Sequence, residues 1–260
     1  EYQQQGMQIA GGSSCEIWAN RLERGPTNGI FILEAADTLV HDNLVVDFAG
    51  TGIYSNDNQK FAGASYRFVH NTVLRSGRWG IAIFGPELVD NIGWNNLVLE
   101  SGEGDLAPGG DVDWDAQNNI TGMPIAGLGF VDPAAGDFHL REDSLAVEAG
   151  RAASEWSTAD LDGVARDPAA PDVGAYEFTT EPPPGDGDGD GDGGDGDGGD
   201  GGDGDGDGGE EAGDSGETGD SGQDPGGADS GCGCSSSPQR LGFASMFGLV
   251  LLLGVRRRAR

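Results

Sequence analysis

The stretch NTVLRSGRWGI, residues 71–81, contains a pattern that occurs three times in this chain. The pattern is an Asn, an aliphatic residue two positions later, and Gly-Ile nine positions after the Asn. The other copies begin at Asn20 and Asn43, and they reach Gly29-Ile30 and Gly52-Ile53 at the same internal spacing. A unit that recurs every 23 to 28 residues is typical of a protein built from stacked repeats.

Each repeat contains short segments in which apolar residues alternate with other residues, as in a strand with one buried face. The clearest segments are residues 30–33, 44–46, 68–69 and 81–84. Coils of three short strands stack about 4.8 Å apart and share one core, because a single coil cannot bury its own apolar face. The sequence therefore predicts an all-β fold, a right-handed parallel β-helix (solenoid) of about five or six coils within residues 1–180.

The recurring Asn and Gly residues are predicted to lie at turns. A short amide tolerates a left-handed backbone and can bond to the Asn of the next coil, and Gly permits a sharp bend. Further turns are predicted at residues 90–96 and 118–120, separated by an insertion over residues 104–114. The one candidate for a short helix is residues 152–159.

Composition divides the chain into three pieces, of which only residues 1–180 can bury a core. Residues 181–230 are dominated by Gly and Asp and contain no Lys, Arg or aromatic residue, so this acidic linker is predicted to be disordered. The linker resembles calcium-binding loops, but it lacks the helices and apolar positions that those loops need. Only loose association with calcium is therefore expected, and no cofactor is predicted. The net charge of −31 argues against a nucleic-acid partner.

An ordered series of motifs follows the repeats. It consists of Phe-Val-Asp-Pro at 130–133, Gly-Asp-Phe-His-Leu at 136–140, residues 144–150, Asp-Leu-Asp-Gly at 160–163 with Arg166, and Asp-Val-Gly-Ala-Tyr-Glu-Phe at 172–178. This series resembles the closing section of bacterial β-helix proteins of the pectate-lyase-like superfamily, and the resemblance covers roughly residues 15–178. The chain departs from the usual pattern at Leu145, where a Pro is common, and at Glu148, where an Asp is common.

Enzymes with this fold mostly cleave acidic polysaccharides, using carboxylate pairs or a calcium site with an Arg or Lys base. The dense carboxylate group of this chain consists of Asp111, Asp113 and Asp115, beside Trp114, which could stack on a sugar. Alternation along an extended segment would place the three carboxylates on one side. The group is either a cation or sugar site or a solvated acidic loop, and the second reading is favoured.

Two arginines and two histidines complete the candidate list. Arg75 and Arg78 flank a turn, where one of them could act as a catalytic base or both could be outward charges. His41 and His70 each precede a turn position and are expected to be satisfied turn residues rather than a metal pair. The catalytic motifs of the polygalacturonase-like and pectate-lyase-like branches are not recognisable, so catalysis is not predicted.

Residues 231–260 read as a sorting and anchoring signal. Cys232 and Cys234 precede a polar stretch, an apolar run over residues 241–255 and an Arg-rich end. The run would be about 22 Å long as a helix, which is short for a hydrocarbon core of about 30 Å. The layout resembles the C-terminal sorting domain of myxobacterial surface proteins, which implies cleavage near the two cysteines by a sorting protease and retention at the outer membrane. The alternative is a permanent tail-anchored transmembrane helix.

The remaining cysteine, Cys15, stands alone in the folded piece and is expected to be a buried small residue or to have lost its partner with upstream sequence. The chain starts at Glu1 without a signal peptide, so an exported precursor with a longer N-terminal part is predicted. The favoured function is a cell-surface-anchored β-helix protein with a structural or binding role toward polysaccharide. The alternative is a secreted polysaccharide lyase or glycoside hydrolase.

Overall fold

Three parallel sheets form the body of the computed structural model, which describes residues 5–56, 62–85, 87–110, 112–180 and 231–235. The first sheet contains β1 (Met7–Ala10), β4 (Ile30–Leu33), β7 (Ile53–Asn56), β10 (Trp79–Phe84) and β13 (Gly104–Pro108). The second sheet contains β2 (Ser13–Trp18), β5 (Thr38–His41), β8 (Tyr66–Val69), β11 (Asn91–Trp94) and β14 (Trp114–Gln117). The third sheet contains β3 (Arg21–Gly25), β6 (Leu44–Phe48), β9 (Thr72–Leu74) and β12 (Leu97–Leu99).

The chain visits the three sheets in turn, so each set of three strands is one coil of a parallel β-helix. The predicted fold class is therefore confirmed. The described residues form four complete coils and part of a fifth, which is fewer than the five or six that the sequence predicts. The predicted insertion over residues 104–114 is wrong, because β13 continues the first sheet in register with β10.

The inner core consists of apolar residues at alternate positions of the strands, stacked on their equivalents in the next coil. Ile30 pairs with Ile53 and Ile53 with Ile81, and all three are completely buried. Burying a side chain of this size contributes about 1.5–3 kcal/mol relative to an exposed position. The Gly-Ile motif of the repeats therefore marks the start of each core-facing strand of the first sheet.

The glycines of that motif have a different role from the predicted one. The φ angle of Gly52 is not in the left-handed region, so no sharp bend requires a glycine there. A Cβ at Gly52 would lie 2.3 Å from Cγ1 of Val73 and 2.8 Å from the carbonyl oxygen of Gly80. Gly29 and Gly80 are equally crowded by Val45 and by Val98. The recurring glycine is thus required by the close approach of neighbouring coils.

The recurring asparagines form a continuous ladder along the turn between the second and third sheets. Each side-chain amide donates to the side-chain oxygen of the next Asn, at distances of 2.9 to 3.0 Å. The ladder runs through Asn20, Asn43, Asn71, Asn96 and Asn119. Bonding between coils is confirmed, and the ladder contains two rungs beyond the three clear repeats.

The left-handed backbone of this turn belongs to the residue before each ladder Asn, not to the Asn itself as predicted. These residues have φ angles between 50° and 57°, and they are Ala19, Asp42, His70, Asn95 and Asn118. The side-chain amide of each ladder Asn must stay aligned with the coils above and below. The left-handed conformation is therefore adopted by the residue before it. The preceding residue makes the bend and points its side chain outward.

A closing section over residues 121–178 covers the outer face of the third sheet. It begins with a 3-10 helix, Ile125–Gly127, followed by an antiparallel pair, β15 (Phe130–Asp132) and β16 (Asp137–Leu140). Its buried residues form a second core with the outward-facing leucines of the third sheet. Residues 152–159, the candidate helix, contain a single turn instead. Strands β6, β9 and β12 of the third sheet are consequently buried on both faces, which explains their apolar runs, whereas β3 is polar and partly exposed.

The segment β17 (Gly231–Ser235) pairs antiparallel with β2 at the edge of the second sheet. Cys15, in β2, is buried as expected but is disulfide-bonded, so the expectation of a lone thiol is wrong. The other two cysteines of the sequence both belong to β17.

The predicted linker (181–230), the apolar run of the tail and Asp111 lie outside the described residues. In the described part of the chain, no helix is long and apolar enough to span a bilayer.

Candidate ligand-binding site

A cleft of about 390 Å³ lies between the second sheet and the closing section. One wall consists of the ends of β2 and β5, and the opposite wall consists of residues 154–160 together with Gly163. Small-molecule sites in proteins have volumes of about 300–1,000 Å³. The cleft therefore has room for one or two small rings.

Alternation along β2 decides which side chains reach the cleft. Cys15 and Ile17 point into the inner core, so Glu16 and Trp18 point outward into the cleft. Trp18 is in register with His41 of β5, and the two rings are stacked with centroids 6.3 Å apart and planes inclined by 8°. Parallel pairing of β2 and β5 thus builds a flat wall from two rings on adjacent coils.

His41 bridges two carboxylates in this wall. Its Nδ1 lies 2.6 Å from Oδ2 of Asp42, and its Nε2 lies 3.1 Å from Oε1 of Glu16. Burial alone would lower the pKa of His41, but the hydrogen bonds and negative charges of Asp42 and Glu16 outweigh burial and raise it. A carboxylate oxygen beside each ring nitrogen favours the protonated imidazole, in which both N–H groups donate to carboxylates.

Asp42 anchors the floor of the cleft. Its Oδ1 accepts from Nη2 of Arg166 at 2.6 Å and from Nε at 3.1 Å, and its Oδ2 accepts from Oγ of Ser157 at 2.7 Å. Burial alone would raise the pKa of this carboxyl, but the charges of Arg166 and His41 lower it. Because Asp42 adopts a left-handed backbone with φ 52°, its side chain leaves the coil exactly where the closing section docks.

The opposite wall presents a second tryptophan, Trp156, which is partly exposed. Its ring centroid lies 4.9 Å from that of Trp94, and the guanidinium carbon of Arg151 lies 3.5 Å from the Trp94 centroid. Trp156 is therefore supported from behind by an aromatic and cation–π stack. Each wall of the cleft therefore carries an aromatic ring that contacts within the protein hold in position.

The charge of the cleft is negative. Four carboxylates line it, from Glu16, Asp42, Glu155 and Asp160, against the single cation of His41. Of these, Asp42 is neutralised by Arg166, and Asp160 accepts hydrogen bonds from the backbone N–H groups of its own turn. Glu16 and Glu155 are exposed, and no group of His, Cys, Asp and Glu suited to a metal ion occurs among the described residues.

The predicted carboxylate group lies elsewhere, on the last coil of the second sheet. Asp115 is exposed and accepts hydrogen bonds from Nε1 of Trp94 and from Nε2 of Gln117. Asp113 precedes β14, and its carbonyl oxygen accepts from Nδ2 of Asn91. Trp114 packs on Phe68 in the inner core, so it is not available to stack on a sugar as predicted.

The predicted basic residues are separated from these aspartates and from each other. Arg75 donates two hydrogen bonds to the carboxylate of Asp47 beside the third sheet. Arg78 pairs with Glu103 beside the first sheet, and its guanidinium carbon lies 4.2 Å from the ring centroid of Trp79. The described structure therefore does not gather the predicted candidates into one site.

Outward aromatic residues on the first sheet form a different arrangement. Phe31 and Tyr54 are stacked with centroids 5.1 Å apart and planes inclined by 9°, and Phe84 meets Tyr54 edge-on. The faces of the first two rings are used in contacts between coils. This strip is a stabilising ladder and leaves few ring faces for a ligand.

Sequence reasoning missed the cleft because its residues are far apart in the chain. Glu16 and Trp18 are 23 or more positions before His41, and Ser157 is 115 positions after Asp42. The one signal available was the alternation of β2, which places a charged and an aromatic residue on the same outward face.

Comparison of the chain with known protein families, with curated proteins and with solved structures found no significant match.

Proposed function

We propose that this protein is a cell-surface-anchored β-helix protein that binds a sugar chain in the cleft between its second sheet and its closing section. The observation that carries the proposal is the pair of opposed, partly exposed tryptophans, Trp18 and Trp156, in a cleft that also presents carboxylates and hydroxyls. A sugar has an apolar C–H face and a rim of hydroxyl donors, and such a cleft complements both.

The rigid floor of the cleft supports binding rather than a moving catalytic group. His41, Asp42 and Arg166 are all buried and hydrogen-bonded to one another or to the closing section. A site that is ordered before the ligand arrives loses little conformational entropy on binding. Most of the contact energy between the walls and the ligand therefore contributes to the binding free energy.

The proposed location rests on the tail and on Cys15. The tail resembles a myxobacterial sorting signal, and cleavage near Cys232 or Cys234 would leave the folded part tethered by the acidic linker. Disulfides such as that of Cys15 persist in oxidising compartments outside the cytoplasm, which supports export. Mass spectrometry of the mature protein tests this part, since a C-terminus at Arg260 would contradict processing.

Binding is tested by isothermal titration calorimetry of the full chain with oligosaccharides of neutral, amino and uronic acid sugars. We expect at least one class to bind, and we expect Trp18→Ala and Trp156→Ala to weaken that binding tenfold or more. Trp79→Ala is the matched control, because Trp79 is also a partly exposed tryptophan but lies on the first sheet. Absence of binding to every class, or equal losses in all three variants, would contradict the proposal.

A second candidate is an enzyme of the pectate-lyase-like kind, which the chain of Asp42, His41 and Glu16 favours. An imidazole between two carboxylates can give a proton to Glu16 when it is protonated and take one back when it is neutral, as a general acid or base requires. Release of unsaturated or reducing ends from a polysaccharide panel, lost in His41→Gln, would establish the enzyme. Binding without any product supports the non-catalytic proposal.

A further inference from the structure

The charged side chains of the cleft that remain available to a ligand are carboxylates, and the hydroxyls beside them can accept or donate. Glu16 uses one carboxylate oxygen for His41, which leaves the other, and its side chain is 49% exposed. Glu155 is exposed, and within the described residues it forms no ion pair. Ser154 and Thr158 add exposed hydroxyls beside it. The mouth of the cleft therefore presents two carboxylates and two hydroxyls between the tryptophans.

The positive groups near the cleft are already committed. Both ring nitrogens of His41 are hydrogen-bonded to carboxylates. Arg166 is 2% exposed and donates to Asp42, to Glu177 and to the carbonyl of Gly174. No cation lining the cleft in the described part of the chain can therefore turn to meet an anionic ligand. A uronic acid would place its carboxylate opposite Glu16 or Glu155 without compensation.

Aromatic faces beside exposed carboxylates are a pattern that recognises ammonium groups. A cation over the face of a tryptophan is attracted by the ring quadrupole, and a nearby carboxylate adds a charge-assisted hydrogen bond. The net charge of −31 also raises the local concentration of cations around the molecule.

We infer that the cleft selects sugars that carry a free ammonium group, such as 2-amino-2-deoxyhexoses. This inference rests on the proposed function and names the ligand class of the same site. The ring packs between Trp18 and Trp156, and the ammonium donates to the carboxylates of Glu16 and Glu155. This preference is the opposite of the one for acidic polysaccharides that the superfamily resemblance implies.

The test uses three disaccharides of equal length, so that only one group changes between ligands. They are a β-1,4-linked glucosamine disaccharide, its N-acetylated form and a galacturonic acid disaccharide. Titrations of the full chain are run at about 150 mM salt, where charges beyond about 8 Å are screened. We expect the free amine to bind tenfold or more tightly than the N-acetylated form, and the uronic acid disaccharide to bind weakest.

Two variants of equal net charge separate the cleft from the general acidity of the chain. Glu16→Gln should reduce the preference for the free amine to threefold or less, because it removes a negative charge that the ammonium contacts. Glu103→Gln, which changes an exposed glutamate beside the first sheet, should leave the preference intact. If both variants reduce the preference equally, the amine is attracted by net charge and the inference is wrong.

The remaining outcomes separate the inference from the proposed function. If the N-acetylated disaccharide binds in a manner that depends on Trp18 but the amine binds no more tightly, the cleft is a sugar site and only the ammonium inference fails. If no oligosaccharide of any class binds, the proposed function itself fails.

Discussion

The coil stack, residues 7–120, and the closing section, residues 121–178, are stabilised in different ways. The stack repeats the same contacts in every coil, with an inner apolar core and an asparagine ladder between neutral side chains. The closing section contains few strands, and besides its apolar contacts with the third sheet it is held by ion pairs and by carboxylates that accept backbone N–H groups. The first region is regular, and the second is irregular and depends more on charged groups.

The difference teaches where a binding site can arise on this fold. A stack of equivalent coils presents equivalent surfaces, whereas the joint with an irregular section brings unlike residues together. The cleft lies at that joint, and the ion pair between Asp42 and Arg166 closes its floor. Docking of the closing section and formation of the cleft are therefore one event.

The largest loss of stability is expected from Arg166→Met, which breaks the ion pair between the closing section and Asp42 of the coil stack. The change leaves the carboxylate of Asp42 buried without its partner, which costs about 3–5 kcal/mol. Hydrogen exchange measured by mass spectrometry should show faster exchange across residues 121–178 and little change in the central coils. Arg141→Met, at an exposed pair with Asp143, is the control and should cost less than about 1 kcal/mol. Uniform acceleration in both regions would show that they unfold as one unit.

The second-largest loss of stability is expected from Asn71→Ala, which removes a central residue of the asparagine ladder. The side chain of Asn71 accepts from the backbone and side chain of Asn43 and donates to Val40 and Asn96. Each buried polar group left without a partner costs about 1–3 kcal/mol, and partial relaxation should bring the total to about 2–4 kcal/mol. Urea denaturation measures this loss.

Asn119→Ala is the matched control for the ladder, because it removes a part-buried rung at the end of the stack. Its loss should be about half that of Asn71→Ala, since fewer buried groups lose a partner. Equal losses at the centre and at the end would mean that the ladder does not act cooperatively.

The coil stack could be predicted well from the sequence because each coil packs on its neighbours through the same types of residue at the same positions. The spacing of Asn and Gly-Ile located three coils directly, and both features turned out to be structural. The physical reasons were predicted less well. The glycine is dictated by atoms outside its own repeat, such as Cγ1 of Val73 and the carbonyl oxygen of Gly80 beside Gly52, and a single repeat carries no information about those distances.

The closing section and the cleft could be predicted only in outline. The motifs at residues 130–178 indicated a closing section, but nothing in them identified Asp42 as the partner of Arg166, 124 positions away. The disulfide of Cys15 was missed because the other two cysteines lie beyond a long linker. Long-range pairs between single residues leave no periodic trace in a sequence, whereas stacked repeats do.

A smaller loss of stability is expected as the pH rises, and His139 of the closing section should contribute to it. Nδ1 and Nε2 of His139 each lie 2.6 Å from a carboxylate oxygen, of Asp137 and of Asp162 respectively. The hydrogen bond to Asp162 is the largest influence, and together these contacts raise the pKa of His139 to about 9 despite partial burial. The folded state thus binds the proton more tightly than the unfolded state, whose pKa is about 6.5.

The stability contributed by protonated His139 is fully present below about pH 6.5 and is lost as the pH rises through about 9. Because the imidazole is substantially exposed, the expected loss is only about 1 kcal/mol after screening. Unfolding free energies measured from pH 6 to pH 10 should show it, and His139→Gln should flatten the curve in this range. A curve that is unchanged in His139→Gln would assign the pH dependence to another group, such as His41.

The smallest losses of stability are expected on substitution of Arg75 and Arg78, the two arginines that the sequence suggested as catalytic bases. Arg75 joins the two regions, since it pairs with Asp47 of the stack and its guanidinium carbon lies 5.8 Å from the ring centroid of Phe138 in the closing section. Arg78 pairs with Glu103 and stacks on Trp79, both in the stack.

Exposed ion pairs contribute about 0–1 kcal/mol, so Arg75→Ala should cost about 0.5 kcal/mol and Arg78→Ala less than that. The loss in Arg75→Ala should be accompanied by faster hydrogen exchange near Phe138, and the loss in Arg78→Ala should not. Neither change should weaken oligosaccharide binding, because neither arginine lines the cleft. If Arg75→Ala abolishes binding or turnover while the fold is retained, the functional surface lies beside the third sheet, and the joint between the two regions is only structural.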